Sequence, residues 1–177
     1  ALAEADPGVL VTLGVVPTSP HTGYGYLHRG EPISGFAGAH RVLRFVEKPS
    51  REVAEGYLAS GDFWWNSGMF VWRAATLMEQ LRLLLPATHT AVLDLAAHPG
   101  RVEEIFPALF KTSVDYAVME PVSAGQGSAR VVAVALPVDW RDVGGFASLA
   151  EILPTDPAGN ATSGRVVSLD AVGNIVV

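Results

Sequence analysis

Val9 to Val16 reads VLVTLGVV, and its reading decides the fold class. Seven of the eight residues are apolar or glycine, most are β-branched, and Pro17 ends the run. A continuous apolar run of this length, rich in valine, is the pattern of a strand buried on both faces. A second run of the same kind, Ala129 to Leu136 (ARVVAVAL), lies far along the chain. Arg41 to Val46 (RVLRFV) alternates well enough for another strand, and Ser67 to Trp72 is a further candidate.

Helical spacing separates these strands. Leu77, Leu81, Leu84 and Leu85 recur at i, i+4, i+7 and i+8 within Ala74 to Leu85, and Pro86 stops the pattern. Ser50 is placed to cap a short helix through Leu58. Thr88 to Ala97 and Val102 to Phe110 are expected helices on either side of the Pro99-Gly100 turn. Ser113 to Glu120 is expected to form one more, capped by Ser113, with Asp115 favoured at its positive end and Pro121 following. Phe146 to Leu153 completes the set. Strands mixed with helices predict an α/β layered domain.

Residues 155–164 (TDPAGNATSG) have the composition of a linker. Beyond it, Arg165 to Leu169 and Ile175 to Val177 read as two short strands around Gly173-Asn174. The expected division is therefore 1–154 and 155–177, with no internal repeat. The chain opens abruptly at Ala1–Asp6, as if on the tail of a helix, and reads as part of a longer one.

Composition narrows the chemistry. Hydrophobic residues make up 49% of the 177, and mean hydropathy is +0.29, which excludes a disordered chain. No apolar run reaches the ~18 residues of a membrane span, and the opening residues, with Glu4 and Asp6, do not read as a signal peptide, so no membrane partner is expected. The absence of cysteine excludes disulfides and thiolate metal sites and favours a cytoplasmic setting. The net charge of −6 comes without any Lys/Arg cluster, so a nucleic-acid polymer is not the expected partner. The five histidines lack zinc-ligand spacing, and there is no Gly-x-Ser-x-Gly elbow.

Four polar stretches punctuate the apolar frame. Thr22-Gly23-Tyr24-Gly25-Tyr26 lets a ligand approach the backbone, although a tight turn with aromatic packing explains it too. Val46-Glu47-Lys48-Pro49 ends a strand, where α/β folds bind ligands. Its carboxylate suits sugar hydroxyls and its ammonium a phosphate; a surface ion pair is the plainer alternative. Asn66-Ser67-Gly68 offers an amide that donates and accepts, or else a turn into a strand. Asp139-Trp140-Arg141-Asp142-Val143-Gly144-Gly145 sits between a strand and a helix, where Asp142 suits Mg²⁺ or a helix cap.

In one order, VTLGVVPTSPHTGYGY, RFVEKP, WNSGMFVW, SVDYAVMEP and DWRDVGGFASL resemble the sugar-nucleotide pyrophosphorylases, over about residues 9 to 153. Within that family the likeness is greatest to the guanylyltransferases of mannose 1-phosphate. The resemblance implies a Rossmann-like nucleotide-diphospho-sugar transferase domain with a mixed sheet, present in part. It implies mannose 1-phosphate and GTP as substrates, GDP-mannose and pyrophosphate as products, and Mg²⁺ as cofactor. By that likeness Gly25 offers its backbone to the sugar and Glu47 binds sugar hydroxyls. Lys48 holds the 1-phosphate, Asn66 orients the sugar from the other side, and Asp142 is one of two metal aspartates. Tyr24 and Trp65 are expected to wall the pocket.

The family's Gly-x-Gly-x-Arg-x-x-Pro loop, which holds the triphosphate, is not in this sequence, so the 177 residues alone are expected to be inactive. Base choice stays open: a thymidylyl- or uridylyltransferase of glucose 1-phosphate, or a non-catalytic sugar-nucleotide sensor, would share these motifs. Residues 159–177 resemble the start of the family's left-handed β-helix tail, often used in assembly, so a homo-oligomer is an expected partner state.

Overall fold

The computed structural model describes residues 1–145, 148 and 152–176. In chain order it contains α1 (Leu2–Ala5), β1 (Val9–Val15), β2 (Gly25–Pro32), β3 (Ala39–Val46), α2 (Arg51–Ser60) and β4 (Phe63–Val71). Then follow α3 (Ala74–Leu84), α4 (Pro86–Ala97), α5 (Val102–Ile105), a π-helical turn (Asp115–Met119), α6 (Glu120–Ser123), β5 (Arg130–Ala135), β6 (Ala161–Thr162) and β7 (Ile175–Val176). The chain divides into two compact units, Ala1–Val138 and Asp139–Val177.

The first unit is a mixed sheet that closes on itself in the order β1-β4-β2-β3-β5. β1 and β5 run parallel, Val9 opposite Arg130 through Gly14 opposite Ala135; the other pairings are antiparallel. These two strands are the two Val-rich runs; β1 is buried along nearly its whole length and β5 at Val131–Ala133, so neither alternates in sequence. Leu10, Leu27, Phe45, Trp64, Val118, Met119 and Val131 form the main core. Leu77, Leu81 and Leu84 of α3 pack against it, as their spacing predicts. Gln80, 1% exposed, accepts from the Ser128 and Ala129 N–H groups and fixes the approach to β5.

Several boundaries differ from the sequence reading. β2 has no counterpart in that reading, because its Gly25–Pro32 sequence is polar and glycine-containing; it is held from both sides by β3 and β4. β4 begins at Phe63, not Ser67, so Trp64, Trp65 and Asn66 lie inside a strand. What resembles a turn at Asn66-Ser67-Gly68 is a bulge. Thr12 pairs with Phe70 and Gly14 with Asn66, so Leu13 alone lies opposite Ser67, Gly68 and Met69 of β4. Gly68 takes a φ of +73°, and its N–H donates to Asn66 Oδ1 at 3.2 Å.

Pro86 does not simply stop a helix; it opens α4 from the first position, where a missing N–H costs nothing. The helix expected over 102–110 is one turn, α5, flanked by 3₁₀ turns at Pro99–Arg101 and Phe106–Ala108, since Pro107 breaks it. Ser50 caps α2 through Val53 N–H, and Gly61 closes it in the left-handed region. The helix expected over 146–153 lies largely outside the described residues. Among the described residues no helix is long and apolar enough to cross a membrane.

The second unit overturns two expectations. Arg165–Leu169 is not a strand; the partner of β7 is β6, paired in parallel with Ala161 opposite Ile175. The pairing exposes a repeat, Asp156-Pro-Ala-Gly-Asn160 and Asp170-Ala-Val-Gly-Asn174, 14 residues apart. The repeat escapes notice in sequence because only three positions recur. Asn160, 1% exposed, sits at its centre. Its amide donates to Asp156 Oδ2 and to the Ala171 carbonyl, both at 2.9 Å. Its carbonyl oxygen accepts from the N–H and the side chain of Asn174, stacked one coil on.

Candidate functional site

Gly25 is where the polar residues of the first unit converge. It pairs with Asn66 across β2 and β4, and side chains at these positions share one face of the sheet. A Cβ placed on Gly25 would stand 2.6 Å from Glu47 Oε2 and 3.2 Å from Asn66 Cβ. Glu47 and Asn66 thus approach the same gap, and only a glycine leaves it open. Glu47 arrives from the end of β3 and Asn66 from the middle of β4.

Glu47 is only 9% exposed in its side chain, whereas neighbouring Lys48 is 56% exposed. Lys48 Nζ pairs with Glu47 Oε1 at 3.2 Å, which leaves Oε2 turned to Gly25. Burial pushes the Glu47 carboxyl above its ordinary value; the Lys48 hydrogen bond opposes this, and Asp115 and Glu120 nearby add to it. The link to Glu47 holds the Lys48 ammonium above its own ordinary value. Lys48 has a φ of +46°, rare for a residue with a side chain, and its N–H donates to the Tyr24 carbonyl at 3.2 Å. That conformation turns the chain sharply out of β3 and sets the ammonium beside the carboxylate rather than past it.

Asn66, 7% exposed, is held on three sides. Its Oδ1 accepts from the Thr12 hydroxyl at 2.6 Å as well as from Gly68 N–H. Its Nδ2 donates to Asp115 Oδ1 at 3.2 Å. Both lone pairs of the amide oxygen are therefore used within the protein, and what remains is one N–H. The amide that the sequence offers as donor and acceptor alike is, in the fold, a donor.

Tyr24 and Trp65 come together, with ring centroids 5.1 Å apart edge to face, and His21 stacks on Tyr24 at 3.8 Å. Trp65 points to the opposite face of β4 from Asn66, because neighbours in a strand alternate. It pairs across with Tyr26, whose hydroxyl donates to the His21 carbonyl. These rings, with His21, cluster at the glycine loop that leads into β2. Asp142 belongs to the second unit, exposed in an irregular loop with Asp139 and Arg141. Among the described residues no three His, Cys, Asp or Glu side chains gather as metal ligands.

Three residues that hold the site do not stand out in the sequence as parts of it. Thr12 is the one polar side chain in VLVTLGVV, fully buried, and that oddity is the available signal. Asp115 and Glu120 read as the two ends of a helix; Asp115 instead binds Asn66, and Glu120 Oε1 accepts the backbone N–H of Glu47 at 2.7 Å.

Comparison with known proteins gives a consistent picture. The family model of nucleotidyl transferases matches residues 1–158. The chain is 43% identical to the xanthan biosynthesis protein XanB of Xanthomonas campestris, covering 96% of this chain and 36% of that protein. It is 44% identical to the mannose-1-phosphate guanylyltransferase ManC of Salmonella typhimurium, over 95% of this chain and 36% of the relative. The chain therefore spans about a third of the length of these curated relatives. Among solved structures, a mannose-1-phosphate geranyltransferase from Thermus thermophilus superimposes with a TM-score of 0.79 at 36% identity, over 99% of this chain and 50% of that one. A mannose-6-phosphate isomerase from Helicobacter pylori gives a TM-score of 0.61 at 28% identity, over 80% and 54%.

Proposed function

The chain belongs to the nucleotidyl transferase family, and from that premise we propose that it forms the sugar-phosphate-binding part of a mannose-1-phosphate guanylyltransferase. The observation that carries this reading is the gap over Gly25, bounded by Glu47 Oε2 and Asn66, with the Lys48 ammonium at its edge. A carboxylate and an amide donor across a glycine suit a polyol; an exposed ammonium beside them suits its phosphate.

In the proposed reaction an oxygen of mannose 1-phosphate attacks the α-phosphorus of GTP. A new P–O bond forms, the bond to the bridging oxygen of the β-phosphate breaks, and pyrophosphate leaves with that electron pair. The sugar phosphate is already ionised at neutral pH, so no protein nucleophile and no strong base is required. The demand is alignment and the offsetting of repulsion between phosphates. Glu47 and Asn66 fix the sugar ring, which sets the direction of its phosphate. Lys48, held in place by its left-handed backbone and by Glu47, offsets the negative charge of that phosphate.

Asp142 would hold Mg²⁺; one exposed carboxylate fits this ion, which completes its shell with phosphate oxygens and water. When bound, the ion would supply positive charge against the α-phosphate and the leaving pyrophosphate. The stacked Asp-x-x-Gly-Asn coils of the second unit support reading it as the start of a β-helix tail, and that tail as a means of self-assembly. The cysteine-free composition suits a cytoplasmic reaction.

The test is calorimetry of the chain against mannose 1-phosphate, glucose 1-phosphate and inorganic phosphate, followed by turnover of the full-length protein with GTP and the other nucleoside triphosphates. Mannose 1-phosphate should bind at least tenfold more tightly than inorganic phosphate, and Glu47→Ala should remove that margin. In the full-length protein Asp142→Ala should abolish GDP-mannose formation and spare sugar-phosphate binding. Equal affinity for the sugar phosphate and inorganic phosphate, or unchanged turnover in Asp142→Ala, would overturn the reading.

A further inference from the structure

The segment 113–120 packs behind both halves of the Glu47–Asn66 gap, and its geometry is unusual. Residues 115–119 form a π-helical turn, closed by donation from Glu120 N–H to the Asp115 carbonyl, five residues back. In an α-helix, residues five apart point about 140° from one another. An i→i+5 turn is wider and brings such residues close to the same side. Here those residues are Asp115 and Glu120, and both reach into the sheet. Asp115 Oδ1 accepts from Asn66 Nδ2 at 3.2 Å, and Glu120 Oε1 accepts from Glu47 N–H at 2.7 Å. One turn therefore grips β4 at Asn66 and the end of β3 at Glu47.

The rest of the segment explains how that grip is kept. Val118 and Met119 are fully buried in the main core, so the turn cannot rotate freely. Ser113 Oγ accepts from Tyr116 N–H at 3.4 Å at its start. At its end, Ser123 Oγ donates to the Glu120 carbonyl and accepts from Phe45 N–H, a second link to β3. A regular helix over the same residues would turn one of the two carboxylates away from the sheet.

We infer that Asp115 and Glu120 are positioning residues that set the spacing and the donor–acceptor sense of the sugar-binding gap, with the π-helical turn as the part that holds them in register. The consequence for specificity is concrete. With Oδ1 taken by Thr12 and Gly68, and one amide hydrogen taken by Asp115, Asn66 presents a single N–H. It recognises a hydroxyl oxygen as acceptor, while Glu47 Oε2 accepts from a hydroxyl on the other side. The gap thus has a polarity, donor at β4 and acceptor at β3, and a sugar must present its hydroxyls in that order. The specificity claim rests on the proposed sugar-phosphate site; the orienting role of Asp115 and Glu120 does not.

The experiment keeps the two apart. In the ligand-free full chain, the side-chain amide signals of Asn66 are followed by ¹⁵N–¹H spectroscopy in wild type, Asp115→Ala and Asp115→Asn, with thermal unfolding run alongside. The Asn66 amide should shift and lose its restricted rotation in D115A, and recover in D115N, whose side-chain oxygen still accepts. The backbone amide of Glu47 should respond in the same way to Glu120→Ala and Glu120→Gln. Mannose 1-phosphate and inorganic phosphate are then titrated into each variant. D115A and E120A should each weaken mannose 1-phosphate at least tenfold and leave inorganic phosphate within about twofold, while D115N and E120Q should retain most of the sugar-phosphate affinity. Unmoved Asn66 and Glu47 signals in folded D115A and E120A would overturn the positioning role. Should wild type bind no sugar phosphate, the functional reading fails, and the amide signals still decide the positioning role.

Discussion

Gly25 is the residue on which the gap depends. Substitution with alanine would push a methyl group to within 2.6 Å of Glu47 Oε2, closer than two such atoms approach. The obstructing atom is the tip of a side chain rather than backbone, so Glu47 can swing aside, and the fold should tolerate the change. Gly25→Ala is expected to cost under about 1.5 kcal/mol in urea unfolding yet to weaken mannose 1-phosphate more than tenfold by calorimetry. Gly14 makes the contrast. A Cβ there meets the buried Trp64 ring at 2.5 Å, and a rigid ring cannot move away, so Gly14→Ala should cost about 2–3 kcal/mol or more. Glu47 also gives a pH signature. Its carboxyl lies above its ordinary value in the fold, chiefly through burial, so the folded chain holds the proton to higher pH than the unfolded one does. Stability from this group is greatest at low pH and falls as pH rises from the ordinary carboxylate range, about 4.3, through its raised value. Glu79, Asp94, Glu104 and Asp156 are lowered and act in the opposite sense, so the measurement is the difference between wild type and Glu47→Gln. That difference should move against wild type as pH rises across the window; a flat difference would show that burial does not govern Glu47.

At the scale of the element, β4 joins two functions in one strand. Its first half carries Trp64 and Trp65 into the layers on either side, and its bulge aims Asn66. Gly68 makes the bulge possible. No atom lies within 4 Å of a Cβ built there, so the cost of a side chain is conformational alone, from a φ of +73°. Gly68→Ala should lose about 1–2 kcal/mol in denaturant unfolding, with Gly68→Asn losing less, since asparagine enters this region more readily. The same strand shows what sequence can and cannot convey. Val9–Val15 and the centre of Ala129–Leu136 declare themselves because consecutive buried residues leave an unbroken apolar run, and Leu77, Leu81 and Leu84 because a helix of that length repeats its pattern. Asn66, Glu47 and Gly25 stand out as polar or glycine interruptions and do converge in space. β2 and the start of β4 are hidden, since strands fixed by their neighbours need no strong pattern of their own. Asp115 and Glu120 are hidden for another reason. Sequence spacing converts to direction only once the helix type is known, and a π-helical turn reverses the usual conversion.

At the scale of the whole molecule, the two units rest on different physics. Ala1–Val138 is held by an apolar core inside a closed sheet. Asp139–Val177 exposes Val167, Leu169 and Val172 and depends instead on a ladder of polar bonds around Asn160. Asn160→Ala removes the donor to Asp156 Oδ2, the donor to the Ala171 carbonyl and the acceptor of Asn174 N–H, a loss of about 1–3 kcal/mol. Hydrogen exchange should show lost protection at the Ala161, Ser163 and Gly173 amides, each bonded between coils, with the β1 and β5 amides unchanged. Equal loss in both places would mean that the units do not melt separately. The coil also acts as a ruler. Asn174 lies on Asn160 because the chain between them returns after 14 residues, neither more nor fewer. Inserting one stray residue between them would therefore carry Asn174 off Asn160 and break both of its bonds to that side chain.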